Sequence, residues 1–176
     1  MKIQSTHLIT VMIIMIISFL FSSYAFAYQN EPKSFRGIKW GTNIKDLSGM
    51  QLVNIDKNDK DTRIYIRIVD KLKIGKADLE GIFYLFYKNR FYAVAIKFNL
   101  ISNYLNIKET LFEQYGAGKQ IMETFHSWQG ENTDIALSYI KKFNEGVVSY
   151  HFKSIEKELN RDREEKEKSV NGAGDL

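Results

Sequence analysis

The sequence predicts an α+β fold, with antiparallel sheet and two helices packed on one face of it, from three observations. Residues 81–99, GIFYLFYKNRFYAVAIKFN, place two arms rich in aromatic and β-branched residues around the polar break Lys88-Asn89-Arg90, which is a hairpin signature. Strand-like alternation of apolar and polar residues recurs at 62–70 and 133–141. Helical periodicity is confined to 102–115 and to a shorter stripe at Ile44 and Leu47. Segregation of helices from runs of strands is the α+β pattern.

Taken in order, residues 1–27 have the form of a signal peptide: Lys2, a largely apolar run over 8–21, then Ala25-Phe26-Ala27. That run is shorter than the roughly 20 residues a membrane span needs. Residues 28–153 are expected to form a single domain, 154–176 a charged helical or disordered tail, and the mature chain to be periplasmic or secreted. The 176-residue chain contains no Cys. Disulfides, thiolate metal sites and a lipid-bearing Cys are thereby excluded, and no stable membrane anchor is expected after cleavage. Lys2 is the one charge in the leader, so the rest carries a formal charge of +3, against +4 for the whole chain. That excess is too small to argue for nucleic acid.

FRGIKWGT at 35–42 reads as an extended run breaking at Gly41, with Thr42 capping a helix of at most two turns that ends at Gly49. A strand over 50–55 and a charged loop over 56–61 follow. In 62–70, Ile64, Ile66 and Ile68 alternate with Arg63, Tyr65, Arg67 and Val69, and the isoleucines are assigned to the core. A helix over 102–115 stops at Gly116. Strands over 119–128, 133–141 and 147–152 complete the domain, with turns at 129–132 and 144–146. Helix then strands, twice, is compatible with a diverged duplication.

The register of the 81–99 hairpin depends on its loop. Two loop residues bring Phe83 and Leu85 beside Val94 and Ile96; three bring Ile82, Tyr84 and Phe86 there, and the second is favoured. Tyr87, Phe91 and two alanines are then left on an outer face as a shallow apolar floor.

Few patterns suggest chemistry. Gly116-Ala117-Gly118-Lys119 lacks the spacing of a phosphate loop and follows a helix, so it is read as helix termination. His126 and His151 have no metal-ligand spacing and are read as structural, although folded together they could share a metal with Glu123 or Asp134. Glu109 and Glu113 are read as an exposed helix face. No nucleophile has a local partner, and neither a cofactor nor a metal is indicated. The most suggestive surface is Arg63, Tyr65 and Arg67, with Lys71, Lys73 and Lys76 beyond, a strip suited to an anionic polymer or an acidic protein. The aromatic surplus implies either a two-sided core or a ligand groove.

Phe35, Gly37, Ile38, Trp40, Gly41 and Thr42, together with YKNRFYAV, QYG and SWQG, resemble a family of small, uncharacterised secreted bacterial proteins whose mature ends carry a Phe-x-Gly-Ile-x-Trp-Gly-Thr motif. The helix-then-strands order is also similar to the α+β units of β-lactamase inhibitor protein and of small envelope lipoproteins. That likeness implies binding of other proteins and rests on topology alone. The expectation is therefore a non-enzymatic exported protein that binds an envelope protein or cell-surface polymer through Arg63, Tyr65, Arg67, Tyr87 and Phe91. The alternative is a small apolar or amphipathic ligand held between sheet and helices.

Overall fold

The computed structural model describes residues 28–56 and 59–172. The expected signal segment lies outside them. Among the described residues, twelve strands and two helices make a mixed, largely antiparallel α+β protein. An eight-stranded antiparallel sheet has the order β3-β4-β7-β8-β12-β11-β10-β9. Its strands are β3 (Met50–Ile55), β4 (Thr62–Arg67), β7 (Gly81–Tyr87), β8 (Arg90–Asn99), β9 (Lys119–Met122), β10 (Phe125–Gln129), β11 (Thr133–Ile140) and β12 (Glu145–Phe152). Two small hairpins accompany it, β1 (Ser34–Phe35) with β2 (Ile38–Lys39), and β5 (Lys73–Ile74) with β6 (Ala77–Asp78).

The helices are α1 (Ile101–Tyr115) and α2 (Lys153–Gly172), and they cover opposite faces. Tyr104, Ile107, Leu111 and Tyr115 of α1 join a core with Ile82, Tyr84, Val94, Ile96, Leu137 and Val148. Ile155 and Leu159 of α2 join a second cluster with Tyr87, Tyr92 and Ala93. Neighbours on β8 thus belong to different clusters, as the two-residue period of a strand requires. The second helix is thus the tail, on the other face, and not the one expected at Ile44 and Leu47 beside α1. The stripe at Ile44 and Leu47 is too short to repay helix nucleation and forms only a 3-10 turn, Ile44–Asp46, capped by Asn43 and not Thr42. The expected helix-then-strands repeat is accordingly not shown. The charged tail has a docked apolar edge in Ile155 and Leu159, so it is more than a solvated extension. Among the described residues no helix is long and apolar enough to cross a membrane.

The hairpin reaches the favoured register by another route. Lys88 and Asn89 both have positive φ (47° and 65°), forming a two-residue turn, and a bulge between Leu85 and Phe86 restores Ile82↔Ile96 and Tyr84↔Val94. The extra residue is Tyr92. It turns to the α2 face, while Phe91 pairs with Phe86 and enters the α1 core. The residues expected on a shallow outer floor are therefore covered: Tyr87 and Phe91 are each 0% exposed.

Strand β4 is turned over relative to the expectation. Tyr65 pairs with Tyr84 and Arg63 with Phe86, so Arg63, Tyr65 and Arg67 share the α1 face, while Ile64 and Ile66 are half-buried on the other. Both sides of the sheet are covered, so alternation alone could not tell which set faces the larger core. The Tyr65 ring, edge-on to Phe86 at 5.2 Å, decides it.

Candidate functional site

The FRGIKWGT segment is a tight hairpin. Arg36 (φ 46°) and Gly37 (φ 83°) form its two-residue turn, and Gly37 supplies a backbone region that other residues rarely adopt. Phe35 and Ile38 then fall on the α1 core; Phe35 lies 5.3 Å from the Tyr150 ring and 5.8 Å from that of Tyr84.

Residues 28–36 cross the sheet end as a strap tied to the β10–β11 turn. The Glu31 carboxylate accepts hydrogen bonds from the backbone N–H groups of Glu131, Asn132 and Thr133. Tyr28 donates from its hydroxyl to Thr133 O (2.7 Å), and Thr133 Oγ1 donates to Pro32 O (3.2 Å). Burial, and then the Glu31 carboxylate, push the Tyr28 phenol well above its usual range, so it is a fixed donor.

Beside the strap lies a crevice of about 470 Å³ lined by Glu31, Pro32, Lys33, Lys39, Trp40, Glu131, Asn132 and Phe152. Trp40 is its wall. The indole is stacked on Phe91 at 4.8 Å and lies nearly parallel to Phe152 at 6.3 Å, while its Nε1–H donates to Pro32 O at 2.8 Å. The ring is half-buried and held from three sides. Lys33 and Lys39 are exposed on the rim. The Glu31 carboxylate is engaged by three backbone N–H groups, and Glu131 is exposed beside the two lysines.

The five residues singled out by sequence do not converge. Tyr65, Tyr87 and Phe91 are buried packing residues. Arg67 donates to the buried Asp70 carboxylate (2.7 Å) and to Arg36 O (3.2 Å). Arg63 alone stays exposed, 3.4 Å from the Asn89 side-chain oxygen. The residues missed in this respect are Trp40 and Phe152. Trp40 is visible within its motif, but its solvent-facing crevice arises only when the strap meets the 130–133 turn, about 100 residues further along the chain.

The remaining candidates resolve locally. His126 faces α1, within 3.3 Å of the Tyr104 hydroxyl and edge-on to Phe112, and burial followed by the Lys108 charge lowers its pKa. His151, 2.8 Å from Glu156, pairs across the sheet with Ala93 and so faces α2. The two histidines lie on opposite faces and do not share a ligand. Gly118 is packed under Trp128, whose Nε1–H donates to Gly116 O (2.8 Å), so the glycines of 116–119 serve a helix end and an indole. Glu109 and Glu113 are exposed. The space between α1 and the sheet is filled by Tyr104, Ile107 and Leu111, each at most 2% exposed.

Fold and crevice together define an α+β protein built on one sheet covered on both faces, with an aromatic slot at the sheet end. Residues 33–162 match the family model described as TP0088 domain, and the chain belongs to that family. No curated protein and no solved structure matches it.

Proposed function

We propose that this is an exported, non-catalytic binding protein whose crevice at Trp40 takes a carboxylated sugar unit of a cell-surface polymer. Export is supported by the Lys2, apolar-run and Ala25-Phe26-Ala27 pattern of residues 1–27. The observation that carries the binding assignment is the immobilised, half-exposed Trp40 ring between two exposed lysines. An indole plane fixed from behind presents an apolar platform matched to the C–H face of a sugar ring. Ammonium groups beside it satisfy a carboxylate through charge-assisted hydrogen bonds. The crevice volume suits one or two such units, and its open side lets a polymer continue past it.

Calorimetric titration with trigalacturonate, using maltotriose as the neutral control, tests this. The acidic trimer is expected to bind and the neutral one not. Lys33→Gln combined with Lys39→Gln should weaken binding roughly tenfold, without loss of fold because both side chains are exposed. Equal binding of the two sugars, or an unchanged affinity in the double variant, would contradict the assignment.

A further inference from the structure

We propose that the tip formed by residues 68–76 is a docking surface for an anionic lipid bilayer. Ile68, Val69 and Leu72 are 69%, 78% and 45% exposed, unusual for three large aliphatics within five residues. Lys71, Lys73 and Lys76 surround them and are all exposed. The acidic residue within the tip points the other way: the Asp70 side chain is 4% exposed and is held by Arg67 (2.6 Å), by Arg36 (3.7 Å) and by the Tyr84 hydroxyl. Asp78 pairs with Lys73 at 2.9 Å, and Glu109 and Glu113 of α1 line a surface crevice with Lys76, so the positive charge of the tip is concentrated at Lys71, beside the aliphatic side chains. Aliphatic side chains ringed by ammonium groups match the boundary between acyl chains and anionic headgroups.

The tip is also pre-formed. The Arg36 guanidinium donates to the carbonyls of Lys71 and Lys73, both at 2.8 Å, so the FRGIKWGT hairpin clamps the loop from behind. Little conformational freedom is lost when such a loop enters a surface. The Arg67–Asp70 pair thus supports this surface from within, and of the strip expected from sequence the lysines, not Arg67, face outward.

Co-sedimentation with vesicles of phosphatidylethanolamine and phosphatidylglycerol tests the assignment, with phosphatidylcholine vesicles as the neutral control. The protein should pellet with the anionic vesicles at low salt and release as salt rises. Lys71→Gln with Lys76→Gln should weaken partitioning by at least roughly tenfold, and Ile68→Ser with Val69→Ser should abolish it. Unchanged melting temperatures would show both variants folded. The Lys33→Gln, Lys39→Gln variant should pellet like the wild type, which separates this surface from the sugar crevice. Recovery of the wild type in the supernatant with anionic vesicles, or pelleting of the serine variant, would overturn the assignment. So would serine substitutions that only dissociate a dimer in sedimentation equilibrium.

Discussion

At the scale of single residues, packing at the centre of the sheet is decided by a glycine. Gly146 pairs with Phe98, and a Cβ built on Gly146 would lie 2.1 Å from the Phe98 ring, which is 0% exposed and stacked on Tyr139. Gly146→Ala should therefore cost about 1–3 kcal/mol of stability through overpacking, read as a lowered midpoint in urea; an unchanged midpoint would mean the ring moves freely. The requirement for Gly146 was not legible in the sequence, where Asn144-Glu145-Gly146 was assigned simply to a turn. Phe91 was misplaced for a related reason. Its face depends on the bulge at Tyr92, and nothing in an alternating apolar run announces where one extra residue is inserted. The Trp40 and Lys39 side chains, in contrast, were visible in their motif. What could not be seen was the strap that walls them.

Among the elements, α2 is held to the sheet mainly by charge. Its apolar edge is two side chains, Ile155 and Leu159, which meet Tyr87, Tyr92, Ala93 and the partly buried Leu85 and Phe152. Around it, Glu158 meets Arg90 (2.7 Å), Asp162 meets Lys88, Arg163 meets Asp56 (3.1 Å), and Lys166 meets Asp59 (3.3 Å) and Asp61 (3.6 Å). The Lys88 ammonium, helped by the Tyr87 hydroxyl, pulls the Asp162 carboxyl down to about 2, and Arg90 lowers that of Glu158. Burial opposes the ionisation of Asp59, but the Thr62 hydroxyl and Lys166 outweigh it and hold its carboxyl below the usual range. These groups have lower pKa values folded than unfolded. Their stabilisation is thus complete only above about pH 5 and is lost as pH falls through the folded values toward 2. Hydrogen exchange should show α2 amides losing protection in that window, and at high salt, before those of β8 and β12; simultaneous loss would mean that α2 and the sheet open as one unit. Oppositely charged residues four apart, such as Arg161 and Glu165, favour helix in the tail. The apolar contacts are two residues four apart, too few to distinguish a docked helix from a solvated one.

Across the whole molecule, two four-stranded halves meet at β8 and β12, and the strap of residues 28–36 binds the second half back to the first. The antiparallel α+β class and most strand boundaries were legible because alternation and turn residues are local. The sheet order, and hence the covering of both faces, was not, since it depends on pairings distant in sequence. Glu31→Ala removes the acceptor for three backbone N–H groups and should cost about 2 kcal/mol, lowering the melting temperature and opening the crevice together; a melting temperature equal to that of the wild type would show the strap to be passive. The crevice is the centre of the functional account, and the chain has two tryptophans that can report on it, Trp40 in its wall and Trp128 buried in the α1 core. The most direct measurement is a nitrogen–proton correlation spectrum of the two indole N–H groups during titration with trigalacturonate. The Trp40 resonance should shift progressively and saturate while that of Trp128 stays in place; a stationary Trp40 resonance, or equal movement of both, would contradict binding at this site.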